Sequence, residues 1–435
     1  MILEKSKNHN PNYLATIVQI DNLSKHHNAD KLKIARVGGE RIIVGNNTKI
    51  GDYYVLFPVE SVIDEKLLHN TNSYRDTSLN ADKEKKGFFE KNGRVKSIKL
   101  RGEYSNGYLV PLREFAMVYD LNETLLKQRV GESFDTVNGR VIIKKYVVKK
   151  SNPTNTKKIR KIKNCESYIL ENTVTLHVDT KNYRYNYKTA INPNDIISIS
   201  YKIHGTSFHI SNTKTKKRLN IWQKIAKKLG FNINDTEYRI IYGSRRVIKN
   251  DNCKNNNGFY EKDIYKEIAD KIGKMVPKGY QIYGEIFGYL PDTNIFIQKP
   301  YDYGNKEGEY DYIVYRVKKI DTESGKSIEL STPQIIEFCD YFGFNKPHYF
   351  YYGYAKDLYP QIPPNTPDWH DRFLEQLEKD YNEKDCFMCI NKVPEEGVVI
   401  RKESMFNFEV YKLKSQRFLY AESKALDKGE VKFEN

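Results

Sequence analysis

The chain has 435 residues, of which 29% are charged and 13% aromatic, and its formal net charge is +16. That mixture excludes a disordered tail and a disulfide-stapled mini-protein, and no apolar run approaches the length of a membrane-spanning helix. The length provides for two or more domains with their own cores. The surplus of cations favours a polyanionic partner, nucleic acid before membrane, although an Asn- and Lys-rich coding bias also supplies part of it. The five cysteines (Cys165, Cys253, Cys339, Cys386, Cys389) are odd in number and scattered. With no apolar leader they read as reduced thiols, so the expected location is cytoplasmic.

Residues 1–118 read as a small strand-rich domain. Residues 13–20 alternate in polarity, residues 32–37 and 41–45 flank the hairpin signal Gly38-Gly39, and Gly51-Asp52 precedes residues 53–58. Short strands closely spaced by Gly, Asn and Asp turns predict a small β-barrel. Its most basic stretch runs from Arg94 to Tyr108. Arg94, Lys96, Lys99 and Arg101 lie close in sequence to Phe88, Phe89, Tyr104 and Tyr108. Phosphate-tracking cations beside stacking rings predict a nucleic-acid groove there. Residues 119–165 read as a basic connector, with Ser151-Asn152-Pro153-Thr154-Asn155-Thr156 unable to bury a core.

Residues 166–435 read as an α+β domain with mainly antiparallel sheet. A helix is predicted over 261–274, with Ile264, Ile268 and Ile272 on one face. Helix starts are predicted at Ser331-Thr332-Pro333 and Thr366-Pro367-Asp368, and strands over 279–287 and 310–317. Cys386-Phe387-Met388-Cys389 has the spacing of half a zinc site, with no second pair nearby.

The stretch that carries chemistry is Tyr201-Lys202-Ile203-His204-Gly205-Thr206-Ser207, between the alternating run 196–200 and Phe208-His209-Ile210. The glycine marks a turn between strands, so Lys202 is expected at a strand end facing a cleft. A lysine held there is a nucleophile once its ammonium proton is lost. Five segments follow downstream: Tyr242-Gly243-Ser244-Arg245-Arg246, Tyr283-Gly284-Glu285-Ile286-Phe287-Gly288, Tyr312-Ile313-Val314-Tyr315-Arg316-Val317, Glu396-Gly397-Val398-Val399-Ile400-Arg401 and Tyr411-Lys412-Leu413-Lys414. In this order and rough spacing the set resembles the motifs of the covalent nucleotidyltransferases: RNA ligases, DNA ligases and mRNA capping enzymes. His204, where DNA ligases and capping enzymes carry Asp, points towards RNA ligases. The short stretch after Lys414 leaves no room for the C-terminal OB domain of those relatives. The N-terminal pattern is similar to OB modules of the tRNA-binding type. The whole chain therefore resembles the RNA ligase branch with an N-terminal OB domain, typified by the Deinococcus and Naegleria enzymes.

The resemblance implies an OB-like barrel followed by an adenylyltransferase domain. It implies ATP as the nucleotide, magnesium or manganese as the metal, and RNA with 3′-hydroxyl and 5′-phosphate ends, above all a nicked duplex, as the partner. A monomer is expected, with the barrel holding the duplex or the 3′-hydroxyl strand. Lys202 would take up AMP. Lys412 and Lys414, two apart on one strand face, would neutralise the α-phosphate and disfavour the ammonium form of Lys202. Glu396, ahead of an apolar run, is the expected metal ligand, with Glu395 the neighbour most easily mistaken for it. Glu285 would accept from ribose or share the metal. Tyr315 is expected to stack on adenine, with Tyr312 as its fallback. His204, Gly205, Thr206, Ser207 and Arg245 complete the expected nucleotide site, with Arg246 pointing away. Tyr201 and Ser207 stand where relatives usually carry Glu and Asn, so the roles of those two residues do not carry over. The rival readings are a GTP-dependent capping-type guanylyltransferase and a non-catalytic RNA- or tRNA-binding protein on the same scaffold.

Overall fold

The computed structural model describes residues 2–147, 168–177, 180–249, 263–404 and 408–429. Alternating apolar residues in the first third build a barrel from β1 (Ala15–Gln19), β2 (Leu32–Val37), β3 (Glu40–Gly45), β4 (Tyr53–Phe57), β5 (Ser97–Leu100), β6 (Glu103–Asn106) and β7 (Tyr108–Pro111). Strand β4 pairs antiparallel with β1 on one side and β7 on the other. The β2–β3 hairpin turns through Gly38 and Gly39, both at positive φ, a conformation that costs glycine nothing. Helix α1 (Leu112–Tyr119) closes the barrel by setting Phe115 and Ala116 against Ile17, Val55, Phe57 and Val110.

The barrel domain does not stop at residue 118. Phe134, Val137, Ile142 and Ile143 belong to the same core. Ser133–Phe134 pairs with β1, and Ile143–Lys145 pairs with Ser61–Ile63. The expected connector over 119–165 is corrected to this extent: residues to Lys145 are folded into the barrel domain. Strands of two or three residues are too short to register as alternation, so basic composition dominated the reading. Residues 148–165 lie outside the described residues.

The second domain carries α2 (Tyr183–Ala190), β8 (Ile196–Tyr201), β9 (Thr206–Lys216), β10 (Thr236–Ser244), α3 (Ile264–Ile272), β11 (Tyr280–Gly288) and β12 (Tyr310–Ile320). It continues with β13 (Ser327–Glu329), α4 (Thr332–Phe342), β14 (Tyr349–Tyr354), α5 (Trp369–Tyr381), β15 (Gly397–Lys402), β16 (Glu409–Lys414) and α6 (Gln416–Asp427). Ser331 and Gln334 cap α4 reciprocally, with Pro333 in its first turn.

Two sheets result, and the expected α+β class holds. One runs Ile248–Lys249, β10, β9, β11, β12, β13; the other runs Lys181–Asn182, β16, β15, β8, β14. Each is hydrophobic on its outer face. Helices α3 and α4 set Ile264, Ile268, Ile272, Ile335 and Phe338 against Ile210, Ile282, Val314 and Val317. Helices α2 and α5 set Tyr183, Trp369, Phe373 and Leu377 against Ile197, Ile199, Ile400 and Leu413. Strand alternation leaves the intervening, more polar residues of both sheets facing one cleft. Among the described residues, no helix is long and apolar enough to cross a membrane.

Helix α6 seals the second domain to the barrel, and this corrects the expected nucleic-acid contact of Arg94. Arg94 is buried: its Nε donates to Glu60 at 2.7 Å and its Nη1 to Asp427 of α6 at 3.0 Å. Lys96 pairs with the same Asp427 at 2.9 Å. Closeness in sequence to aromatic residues is blind to a helix arriving from the far end of the chain. Lys99 and Arg101 do stay exposed at the β5–β6 hairpin, with Lys99 Nζ 4.8 Å from the Tyr104 ring centre. Phe88 is exposed, whereas Phe89 belongs to the core. Arg94→Ala is expected to cost about 3–5 kcal/mol in chemical denaturation at neutral pH, because it strands a buried carboxylate.

Candidate active site

Lys202 is the first residue past β8, where the chain leaves one sheet and crosses to the other at Thr206. The crossover is tied down at each residue that could swing. The Lys202 N–H donates to the Gly397 carbonyl at 3.0 Å, and the His204 N–H donates to the Tyr303 hydroxyl at 2.6 Å. Gln298 donates to the Gly205 carbonyl at 3.0 Å. Gly205 is required by close approach: a Cβ there would fall 2.3 Å from the Ile286 carbonyl oxygen.

The charges meet on Glu396. Its Oε2 lies 2.9 Å from Lys202 Nζ and its Oε1 3.2 Å from Lys414 Nζ, with His204 Nδ1 3.7 Å away. Burial works against ionising this carboxyl, but Lys202, Lys414 and His204 outweigh it and hold Glu396 down at about 2. Burial likewise works against the Lys414 ammonium, yet Glu422 and Glu396 prevail and raise it above the usual lysine range. Burial dominates at His204 and lowers it, against the pull of Glu396 and Glu422. Glu395 faces elsewhere: it accepts from the Lys384 N–H, and burial pushes it up to about 7. The two adjacent carboxylates are thus separated by environment.

Between the sheets lies a cleft of about 390 Å³. One wall carries a row across three strands, Ser207 opposite Glu285 opposite Ile313. The other carries Ser198 opposite Arg401 and Ser200 opposite Val399. Lys202 and Arg245 also line it. Lys412 sits opposite Val399 in the ladder, which puts it on the cleft side of β16. Tyr315 enters by a different route. Tyr283 pairs with Arg316 and Gly284 with Val314, so Tyr315 is one extra residue in β12, a β-bulge. Its hydroxyl shares a 3.0 Å hydrogen bond with that of Ser207, and the His177 ring packs against it with centroids 5.7 Å apart. Tyr312, the fallback, is buried in the core under α3 and α4.

Not every expected residue reaches the cleft. Thr206 is fully buried and its hydroxyl meets that of Tyr265 at 2.9 Å, which corrects the expectation that it faces a nucleotide. His204 lies edge-on to Tyr301 and Phe418, beside Glu396 and away from the cleft wall. Arg246 is exposed. Tyr201 is buried against Phe387 in a cluster with Cys386, an apolar setting unsuited to the glutamate found in relatives. Among the described residues, no group of three or more His, Cys, Asp or Glu side chains could hold a metal ion, so Cys386 and Cys389 have no such company there.

Several lining residues escaped the sequence reading, among them Arg316, Arg401, Glu329 and His177. Arg316 and Arg401 converge on Glu329, at 2.5 and 3.6 Å, and His177 stands beside Tyr315. Arg401 shares the strand face of Val399, so strand parity carries a signal for it, whereas Arg316, next to Tyr315, shares the cleft only because of the bulge. Nothing in the sequence around His177 marks it.

Two antiparallel sheets facing across a cleft, a lysine on the crossover between them and an OB barrel make a nucleotidyltransferase fold. The chain belongs to the RNA ligase family: the sequence model of that family matches residues 195–416, and an OB-fold domain model matches residues 14–112. The fold is similar to that of Naegleria gruberi RNA ligase. An apo mutant of that enzyme aligns at 14% identity and a TM-score of 0.57, covering 96% of this chain and 100% of that one. A form with pyrophosphate aligns at 14% and 0.57, covering 95% and 99%. A mutant with ATP and manganese aligns at 14% and 0.54, again covering 95% and 99%. No curated protein matches the sequence.

Proposed function

We propose that the chain is an ATP-dependent RNA ligase that joins 3′-hydroxyl and 5′-phosphate ends through a lysyl-AMP intermediate. The observation that supports this most is Lys202, held at the cleft between the sheets with its ammonium on Glu396. The cleft is of a size to take a nucleotide. Tyr315 would stack on the base, Ser207, Glu285 and Arg245 would meet ribose and phosphate, and Lys412 and Lys414 would face the α-phosphate. The Naegleria enzyme has been seen with ATP and manganese, and the same nucleotide and a divalent ion are expected here.

In the first step Lys202 gives up its ammonium proton to solvent and Nζ attacks the α-phosphorus of ATP. A P–N bond forms, the bond to the bridging oxygen breaks, and pyrophosphate leaves. In the second, a 5′-phosphate oxygen of RNA attacks the same phosphorus, forming a phosphoanhydride and freeing the lysine nitrogen, which takes up a proton. In the third, a 3′-hydroxyl loses its proton as its oxygen attacks the RNA 5′-phosphorus, the phosphodiester forms, and AMP leaves. All three are displacements in which cations stabilise charge on phosphoryl oxygens. Glu396, held at about 2, is too weak a base to keep the Lys202 proton. Its role is to orient the two lysines and present an ionised carboxylate. Magnesium or manganese binds through one or two carboxylates, waters and phosphate oxygens, so Glu396 with Glu285 would hold it. When bound, the ion supplies further neutralisation of phosphate charge.

The test is incubation of the protein with radiolabelled ATP or GTP and either metal, followed by sealing of nicked duplexes with RNA or DNA on each side of the nick. AMP transfer to protein and sealing of RNA ends are expected. Labelling by GTP alone would show a guanylyltransferase, and no adduct at all a non-catalytic binder. Tyr315→Ala is expected to raise the half-saturating ATP concentration by about tenfold or more, since base stacking contributes about 1–3 kcal/mol. Tyr315→Phe keeps the ring and loses only the Ser207 bond, so its ATP titration should stay close to wild type.

A further inference from the structure

Helix α6 presents different faces to the two domains. Residues three or four apart share a helix face. Phe418 and Glu422 turn towards the site. Glu422 Oε2 lies 3.4 Å from Lys414 Nζ, and that ammonium lies 4.7 Å from the centre of the Phe418 ring. Gln416, Tyr420, Ser423 and Asp427 turn towards the barrel. Gln416 hydrogen-bonds Asn106, and the Tyr420 ring meets Tyr104 edge-on. Ser423 Oγ accepts from the Ser97 N–H at 3.0 Å and donates to Glu60, and Asp427 takes both Arg94 and Lys96. There is no slack at the start of the helix. Strand β16 ends at Lys414, and the next residue, Ser415, caps α6 by accepting from the Phe418 N–H.

We infer that α6 couples docking of the barrel to the placement of Lys414, with Glu422 as the positioning residue. This rests on the ligase reading of the cleft. Lys414 has a flexible four-carbon stem, and Glu396 is shared with Lys202. Glu422 gives Lys414 an anchor of its own, and the barrel-side contacts of Ser423 and Asp427 fix the turn of helix that carries Glu422. A barrel that shifts on binding RNA would therefore move the cation that neutralises the α-phosphate. The barrel then acts on lysine adenylylation as well as on RNA.

The experiment is single-turnover formation of lysyl-AMP at saturating ATP by the full chain. The variants are Glu422→Ala, Glu422→Gln, Asp427→Ala and the double Glu422→Ala/Asp427→Ala, each with a thermal melt. Glu422→Ala is expected to slow adduct formation by about tenfold or more, as removal of a charge-assisted anchor at a reacting centre does. Glu422→Gln keeps a polar contact to Lys414 and should recover part of that rate. Asp427→Ala, remote from the cleft, should slow the same step. The double variant should be no slower than Glu422→Ala alone, because both act along one path. An unchanged rate in Glu422→Ala, or losses that multiply in the double variant, overturns the coupling. Failure of the wild type itself to form an adduct would instead overturn the ligase reading. Should Glu422→Ala not fold, the Glu422→Gln and Asp427→Ala rates decide: both at the wild-type rate refutes the proposal.

Discussion

Lys202→Ala is expected to abolish AMP transfer to the protein from ATP, with no residual adduct by mass spectrometry. Every other proposed contact to the nucleotide would survive, but the atom that forms the P–N bond would be gone. The same variant should still join an RNA whose 5′ end already carries AMP. In that last displacement the lysine nitrogen forms no bond, and the 3′-hydroxyl is the nucleophile. The pair of assays separates nucleophile from scaffold: loss of both activities would indicate damage to the cleft, and retention of the adduct would remove Lys202 from the mechanism. Folding should be little affected, since Lys202 is about one-fifth exposed and Glu396 keeps Lys414 as its partner.

Glu396→Ala is expected to be the most damaging single change to stability within the site, as well as to inactivate it. It leaves two ammonium groups converging on an empty position. Removing one partner of a buried ion pair costs about 3–5 kcal/mol, and the partial exposure of both lysines puts this case near the lower end, about 3 kcal/mol. Urea unfolding at neutral pH measures it. The pH dependence follows from the sign of the shift. The carboxyl ionises at about 2 in the folded chain against an ordinary value of 4.5. Its contribution is therefore complete above 4.5 and is lost as pH falls from 4.5 through about 2. Glu396→Gln, which cannot ionise, should show less acid sensitivity over that window than wild type.

The fold and family of the second domain were legible because their signals are local. A lysine, a glycine of close approach and two lysines on one strand each stand beside a regular alternating strand, and their order along the chain completed the pattern. Where the reading failed, the causes were of different kinds. Arg94 looked like a surface cation because the residue that covers it, Asp427, is more than three hundred positions away. The barrel looked shorter than it is because its last strands are short. Thr206 lies next to cleft-facing Ser207, and strand alternation alone turns it inward. Tyr315 lines the cleft and Tyr312 lies in the core, and nothing in the sequence announced the bulge that separates them.

That bulge bears on how the cleft can change over evolutionary time. The ladder on either side of Tyr315 is regular, and Val314 and Val317 both face the core only because one residue between them is not counted. Tyr315 is thus a guest in the sheet. Loss of its codon would leave Gly284 opposite Val314 and Tyr283 opposite Arg316, with no core residue turned to the wrong side. A lineage could drop the aromatic, or gain it, by a three-nucleotide indel that folding would tolerate. The ring facing the cleft is therefore free to vary, while the crossover that carries Lys202 stays as it is.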